Sequence, residues 1–238
     1  MAPVFLTAQW RELAMLNYEV DPALLQKFVP SGTELDHWNG RVFLSLVGFR
    51  FLHTRVFGLP IPFHRNFEEV NLRLYVRRES AGELKRGVVF IREIVPRRAI
   101  AAAARTLYHE NYIARPMSHK IESSGSSDFS VEYAWKSRPG WTRMRLSVTG
   151  EPSLPDHGSQ QQFIAEHYWG YSAQPDGGCI EYRVSHPAWR VWNAVDATFN
   201  GNVEDLYGSQ LAAVLRTSPA SVFLAEGSDV TVHRGARI

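Results

Sequence analysis

A polar side chain stands at every second position of residues 69–75, within the longer segment 67–76. The polar set is Glu69, Asn71, Arg73 and Tyr75. Because successive side chains of a strand point to opposite faces, this alternation predicts a strand with all four on one face and aliphatic residues on the other. A carboxyl group that can move a proton would then share a face with a guanidinium group that can bind an anion.

The alternation does not tell which of the two strand faces meets solvent. On an open sheet, the polar face would be an ordinary outer surface or a subunit interface, and Arg73 would be mostly exposed. In a closed or strongly curled sheet, the same residues would line an interior, where an unpaired charge is costly and is usually paired or functional. Both interpretations stay open on the pattern alone.

Residues for the commoner kinds of metal, cofactor or nucleophile site are missing from the sequence. The nine histidines form no tight set such as His-x-His or His-Glu-x-x-His. The only cysteine, Cys179, excludes an internal disulfide and a Cys-x-x-Cys motif. No glycine-rich phosphate or dinucleotide loop is present, and no Gly-x-Ser-x-Gly elbow. We therefore expect neither a metal nor a cofactor.

Few other segments offer reactive groups. Only four of the 26 basic residues are lysines, and arginine keeps its proton at working pH, so these four are the candidates for an amine nucleophile. Lys120 is the lysine closest to a predicted pocket segment, and an ion pair with Glu122 on the same strand face is the commoner arrangement. Two stretches rich in aromatic residues and histidine, 166–171 and 186–189, are each compatible with a pocket cap or a core anchor.

The composition argues against a nucleic-acid partner and against a membrane location. The net charge is +2, and the paired basic residues stand apart in the sequence instead of forming a basic stripe. The N-terminus lacks the basic and apolar regions of a signal peptide, and no stretch approaches the length of a membrane span. We therefore expect a cytoplasmic protein, and a homo-oligomer is compatible with the sequence.

Strand-like segments dominate the rest of the chain. Strands are expected at residues 34–38, 41–51, 67–77, 87–95, 112–122, 128–136, 141–149, 179–185 and 189–197, and in a final hairpin of 221–225 with 229–233. Helices are expected from Asp21 to Pro30 and at 97–110, 159–171 and 203–215. Because the connections are short, the chain is expected to be one α+β domain over residues 1–238, mostly antiparallel, with helices packed outside. A sheet this large usually curls or closes to hide its edges.

Several of these segments together resemble the YqjF-like family, an uncharacterised bacterial family related to acetoacetate decarboxylase. The resemblance covers nearly the whole chain, and its most specific part is the Asn-Leu-Arg-x-Tyr-Val pattern at residues 71–76. Weaker matches lie at residues 17–22, 186–189 and 227–232. The resemblance implies a cone-shaped, closed, mostly antiparallel β-barrel around a central cavity. The polar face of residues 69–75 would then be turned inward, with Glu69 as the pocket carboxylate.

One departure from the decarboxylase pattern bears on mechanism. The decarboxylase forms a Schiff base with a lysine of a Pro-Lys-Lys motif that follows a helix, and residues 109–115 of this chain contain no lysine. An imine needs a primary amine, so decarboxylation through a lysine imine is disfavoured unless Lys120 reaches the cavity.

The resulting hypothesis is a small-molecule pocket inside the barrel. It would belong to a lyase-like or degenerate enzyme that acts on a small carboxylate or keto acid without an imine. Glu69 would move the proton, and the pocket would be lined by Asn71, Arg73, Tyr75, Tyr112, Arg115 and Lys120. The alternative is a non-catalytic protein that uses the same cavity to bind a small ligand.

Overall fold

The computed structural model describes residues 2–108, 110–124, 128–138 and 140–238. The strands are β1 Val4–Val20, β2 Glu34–Leu35, β3 Val42–Val56, β4 Leu59–Pro60, β5 Phe67–Ser80, β6 Glu83–Val95, β7 Tyr112–Ala114, β8 Met117–Ser124, β9 Asp128–Lys136, β10 Trp141–Thr149, β11 Trp169–Ala173, β12 Cys179–Ser185, β13 Val191–Asn200, β14 Ser221–His233 and β15 Ala236–Arg237. The helices are α1 Pro22–Leu25, α2 Arg98–Tyr108, α3 Gln160–Ala165 and α4 Glu204–Leu215. None of these helices, within the described ranges, combines the length and apolar character needed to cross a membrane.

Seven strands form a closed ring in which each strand is hydrogen-bonded to the next. The order around the ring is β12, β11, β6, β5, β3, β1 and β14, and β14 returns to β12 through the pair Val184 and Val232. All neighbours in the ring are antiparallel except β11 and β6. Strands β13, β10, β9 and β8 continue from β14 as a branch. The expected fold class, an α+β fold with a mostly antiparallel, closed sheet, is confirmed.

Both faces of β5 are buried, so neither face is exposed to solvent. The aliphatic face packs into a core cluster with residues of β9, β10 and α4, including Trp135, Met144 and Leu211. The polar face lies among aromatic residues that include Phe49 of β3 and Phe163 of α3, and Arg73 is only 8% exposed. The interpretation of this face as a plain outer surface of the monomer is therefore wrong.

Strand β14 corrects the predicted final hairpin. Residues 221–233 form one strand that pairs along β1, and Gly227 within it has a positive φ of 82°. A Cβ atom at Gly227 would lie 2.0 Å from the carbonyl oxygen of Trp10, so only glycine allows the two backbones to approach so closely. The partner strand β1 was not among the expected elements.

Among the expected elements whose bounds differ, three differ in kind or in pairing. The helix expected at 159–171 starts after a Ser159 cap but ends at Ala165, because Trp169 already begins β11. The strand expected at 112–122 is broken into β7 and β8 at Pro116, which lacks a backbone N–H. The strand expected at 34–38 is reduced to β2, which pairs with β5 across Leu35 and not with β3.

Candidate functional site

The ring encloses a cavity of about 250 Å³. All seven ring strands contribute side chains to its wall, and α2 adds Ile100 and Ala104. Most of the lining is aromatic or aliphatic. The charged and titratable groups of the lining are Glu69, Arg73, Glu93, Glu110, Tyr112, His167, Tyr182, His186 and His64. An apolar cavity with a few polar groups is the usual form of a small-molecule site.

Glu69 is held in place by two hydrogen bonds, one from its own strand β5 and one from β7. The side-chain amide of Asn71 donates to Glu69 Oε1 at 3.0 Å, and the Tyr112 hydroxyl donates to Glu69 Oε2 at 2.9 Å. Asn71 stands two residues along β5, so both side chains project from the same strand face. Tyr112 comes from β7, whose parallel pairing with β6 places it beside Glu93. The Glu69 carboxyl is 2% exposed as a residue and has both oxygens engaged.

Glu93 brings a second carboxyl into the same layer of the wall. It lies opposite Asn71 in the β5–β6 ladder, and its Oε2 atom is buried without a hydrogen-bond partner among the described residues. A bulge in β6 shifts the register between Leu72 and Arg73, so that Glu93 and Phe90 both reach the cavity although they are three residues apart.

Glu110 supplies a third carboxyl from just before β7. The Tyr182 hydroxyl donates to Glu110 Oε1 at 2.8 Å. The Tyr182 ring crosses directly over Gly170, where an added Cβ would lie 2.1 Å from Tyr182 Cζ. A glycine at this position is therefore needed for Tyr182 to reach Glu110.

Burial raises the pKa of all three carboxyls. The pKa of Glu69 rises to about 7 because of burial, although the hydrogen bonds from Asn71 and Tyr112 lower it in part. Burial raises the pKa of Glu110 to about 8, and the nearby charge of Glu69 adds to this against the Tyr182 hydrogen bond. Burial also raises the pKa of Glu93 well above its usual range, with repulsion from Glu110 and Glu69 adding to it. The cluster therefore holds protons near neutral pH.

Arg73 is a buried cation that forms no ion pair with any carboxylate of the described residues. Its Nε atom donates to the Tyr75 hydroxyl at 3.3 Å, and its Nη2 atom donates to the Ile164 carbonyl at 3.2 Å, at the end of α3. Both acceptors are neutral. Because a buried guanidinium is costly without a counter-charge, an anion in the cavity would find an unsatisfied partner here.

A chain of hydrogen bonds behind the cavity wall fixes the Tyr75 hydroxyl, which accepts a hydrogen bond from Arg73. The Tyr75 hydroxyl donates to Ser45 Oγ at 2.7 Å, and Ser45 donates to Asn17 Oδ1 at 2.6 Å. Asn17 in turn donates to Ser221 Oγ at 3.1 Å. The chain crosses β5, β3, β1 and β14, so it ties four ring strands to the orientation of Arg73.

Replacing Tyr75 with Phe is expected to lower the free energy of unfolding by about 1–3 kcal/mol. The substitution keeps the ring but leaves the Arg73 Nε and Ser45 Oγ atoms without their shared partner. Urea unfolding measures the effect, with Tyr168→Phe as the matched control, because Tyr168 is half-buried and lies outside this chain of hydrogen bonds. Equal stability of the two variants would show that the Tyr75 hydroxyl does not hold Arg73.

His167 is a neutral imidazole in the cavity wall. Its Nε2 atom lies 3.0 Å from Asp36 Oδ2, and the Nε atom of Arg86 donates to the same oxygen at 2.7 Å. Burial lowers the pKa of His167 to about 4, against the effect of Asp36. Burial alone would raise the pKa of Asp36, but hydrogen bonds from His167 and Arg86 bring it below its usual range. His167 therefore donates from Nε2, and its Nδ1 atom keeps a lone pair.

The structure brings four of the predicted site residues into the cavity wall: Glu69, Asn71, Arg73 and Tyr112. Tyr75 lies behind the wall, where it supports Arg73. Arg115 is not in the lining: it is half-buried, and its Nη1 atom donates to the Ala114 carbonyl at 3.5 Å. The placement of these two residues in the pocket lining is corrected accordingly.

Lys120 also lies outside the cavity, which corrects its expected place in the pocket. It stands on β8 with a side chain 65% exposed and forms an ion pair with Glu122 at 2.6 Å. The physical reason is the break at Pro116, after which the chain leaves the ring and enters the branch. None of the four lysines of the chain, all of them within the described ranges, lines the cavity.

Sequence reasoning missed Glu93, Glu110 and Tyr182 as site residues. The bulge hides Glu93 from a strict alternation, and Glu110 follows a helix. A different sequence signal did point to the cavity: the stretches 166–171 and 186–189, which were considered as pocket caps. His167 and His186 both line the cavity, and the His186 ring stacks on Trp189 with ring centroids 4.0 Å apart.

Comparison with solved structures places the fold among proteins related to acetoacetate decarboxylase. An acetoacetate decarboxylase from Legionella pneumophila superposes with a TM-score of 0.70 at 14% identity, over 99% of this chain and 88% of that chain. An acetoacetate decarboxylase-like enzyme from Sphingomonas wittichii RW1 gives 0.66 at 13% identity, over 98% and 92%. The enduracididine biosynthesis enzyme MppR, complexed with pyruvate, gives 0.66 at 14% identity, over 100% and 91%.

Sequence comparison gives the family. The uncharacterized protein YqjF of Bacillus subtilis (strain 168) is 28% identical over 203 residues, which cover 85% of this chain and 81% of that protein. The model of the DUF2071 family, described as an uncharacterized conserved protein, matches residues 7–229. The chain therefore belongs to the DUF2071 family, as the resemblance to YqjF-like proteins indicated.

Proposed function

We propose that the cavity binds a small oxo acid and that Glu69 moves a proton at the carbon beside the ligand's carbonyl group. The observation that carries this proposal is the buried, carboxylate-free Arg73 on the same face of β5 as Glu69. A guanidinium binds a carboxylate with two parallel hydrogen bonds, which fixes both the position and the direction of the ligand. The structure of MppR complexed with pyruvate supports the choice of ligand class.

The lining of the cavity narrows the size of the ligand. Arg73 follows Glu69 by four positions, which puts their Cα atoms about 13 Å apart on a strand, so both long side chains must reach toward a bound oxo acid. The lining around them is mostly aromatic or aliphatic. An oxo acid with a short aliphatic chain fits this lining better than pyruvate, because the chain buries apolar surface.

The chemistry proposed for Glu69 is an enolisation. The Glu69 carboxylate takes a proton from the carbon next to the carbonyl, and the electrons of that C–H bond form the carbon–carbon double bond of an enolate. A pKa of about 7 keeps a useful share of both protonation states near neutral pH. No amine is required, which agrees with the absence of lysine from the cavity wall.

Removal of the Arg73 charge tests the binding step. The Arg73→Met variant is expected to bind 2-oxopentanoate about 10- to 100-fold more weakly than the wild type, because a charged hydrogen-bond partner is lost. Isothermal titration with pyruvate, 2-oxobutyrate and 2-oxopentanoate gives the affinities, which should increase with chain length. Arg115→Met is the matched control, since Arg115 is a half-buried arginine outside the cavity lining. Unchanged affinity in Arg73→Met would overturn the assignment of the anchor.

The second candidate function is ligand binding without chemistry. The cavity lining among the described residues contains no lysine and no cysteine, so a covalent intermediate through an amine or a thiol has no donor there. Proton NMR in D₂O separates the two functions. A bound oxo acid that keeps its protons beside the carbonyl at the uncatalysed rate would identify a binding protein.

A further inference from the structure

We infer that Glu110 carries protons between the carboxyl cluster of the cavity and a second, separate cleft. This inference rests on the proposed function, because it assigns the route by which Glu69 regains its working state. The cleft has a volume of about 370 Å³ and is lined by residues that follow α1 and by parts of β6 and β11. Glu110 and Phe90 line both the cavity and this cleft. Glu110 is the only titratable side chain that the two linings share among the described residues.

Glu69 needs such a route because its own surroundings are closed. Glu69 is 2% exposed, and its two oxygens are engaged by Asn71 and Tyr112, so the protein itself shields the carboxyl from water with or without a ligand. A proton taken up by Glu69 therefore has no direct path to water. The neighbouring carboxyls offer the alternative path.

The groups between Glu69 and the cleft are suited to pass a proton. Tyr112 donates to Glu69 and lies beside Glu93 in the ladder, and Glu93 has a buried oxygen with no partner among the described residues. Electrostatic repulsion couples Glu93 to both Glu69 and Glu110. A proton on any one of the three carboxyls therefore lowers the repulsion within the cluster. The Tyr182 hydroxyl donates to Glu110 Oε1 at 2.8 Å and so holds this carboxyl in place.

The transfer balances without any further reactant. Protonated Glu69 gives its proton, through the hydroxyl of Tyr112 and the carboxyl of Glu93, to ionised Glu110. Glu69 returns to the carboxylate, and Glu110 becomes a carboxylic acid. Glu110 then releases the proton to water in the cleft and is again a carboxylate. The charged and titratable groups near it are Glu69, Glu93, Tyr112, Tyr182 and Cys179, with Lys27 and Tyr171 in the cleft.

Time-resolved infrared spectroscopy after mixing into D₂O tests the relay without any ligand. The carbonyl stretching band of buried, protonated carboxyls shifts when the proton is replaced by deuterium. In Glu110→Gln, the remaining bands of Glu69 and Glu93 are expected to exchange about 100-fold more slowly than in the wild type. Glu181→Gln is the matched control, because Glu181 is a buried glutamate on β12 that lines neither space, and it should exchange at the wild-type rate.

A second variant tests the same route if Glu110→Gln fails to fold. Ala173 is exposed and lines the cleft, so Ala173→Trp covers the cleft and leaves the carboxyl cluster intact. Slow exchange in this variant supports the relay, and exchange at the wild-type rate in either variant overturns it. Because no oxo acid is present, slow exchange together with a lack of oxo-acid binding would reject the proposed function and keep the relay.

Discussion

A Glu69→Gln variant is expected to bind 2-oxopentanoate with nearly wild-type affinity but to exchange the protons beside its carbonyl about 100-fold or more slowly. The amide cannot accept the proton, whereas the anchor on Arg73 is unchanged. Proton NMR in D₂O follows the exchange, and isothermal titration gives the affinity on the same samples. The separation of the two readouts distinguishes loss of a proton acceptor from loss of the site.

Glu68→Gln is the control for this experiment. Glu68 is adjacent in sequence but projects from the other face of β5, where it contacts His119 at 2.9 Å. Its substitution should leave both exchange and affinity near the wild-type values. If Glu69→Gln exchanges the ligand protons as fast as the wild type does, another group must take the proton.

Three strands of the branch and ring could be predicted with their full bounds, because local alternation and turn residues define them. They are β9, β10 and β12. Strand β1 could not, because its polar residues interrupt the alternation. One of these, Glu12, has a positive φ of 50° at a point where the β1–β3 register shifts, and it pairs with Arg50. Pairing partners in a closed sheet lie far apart in sequence, and no local pattern records them.

In the candidate site, too, the residues close together in sequence could be predicted and those far apart could not. Glu69, Asn71 and Arg73 share one strand face, so a single alternating segment was enough to group them. Glu93 was hidden by a bulge, and Glu110 lies outside any strand, where no alternating pattern could group it with Glu69. Lys120 was misplaced for the opposite reason, since the expected strand runs through a break that only the structure shows.

The neutral histidines and the protonated carboxyls of the cavity have the same physical cause. The apolar wall disfavours charge of either sign, so His167 loses its proton and the three glutamates tend to keep theirs. Arg73 is the exception because an arginine side chain is always charged in proteins. The cavity is thus left with one permanent charge, and an anion is the ligand that offsets it.

This distribution of protons makes the folding stability depend on pH. The free energy of unfolding is expected to fall as the pH rises from 6.5 to 8.5, by on the order of 3 kcal/mol. Burial raises the folded-state pKa of Glu69 to about 7 and that of Glu110 to about 8, whereas unfolded glutamates titrate near about 4.3. The folded state therefore binds more protons in this range, and raising the pH removes them.

The imidazoles set the lower limit of this range. Burial lowers the pKa of His167 and of His186 to about 4, so between that pH and about 6.5 the unfolded state binds the extra protons. Their contribution to stability therefore rises with pH and opposes that of the carboxyls. Above about pH 7.5 these two imidazoles are mostly neutral in both states, and the carboxyls act alone.

Urea unfolding at intervals between pH 6.5 and 8.5 measures the decline, with the midpoint and slope fitted at each pH. Glu110→Gln should remove a large part of the decline, because folded Glu110 keeps its proton over most of this range whereas an unfolded glutamate is ionised throughout it. Glu83→Gln, at an exposed glutamate on β6, should leave the decline as in the wild type. A wild-type stability that stays constant from pH 6.5 to 8.5 would mean that the three carboxyls are ionised in the folded protein. The cluster would then hold no proton for a relay to pass on.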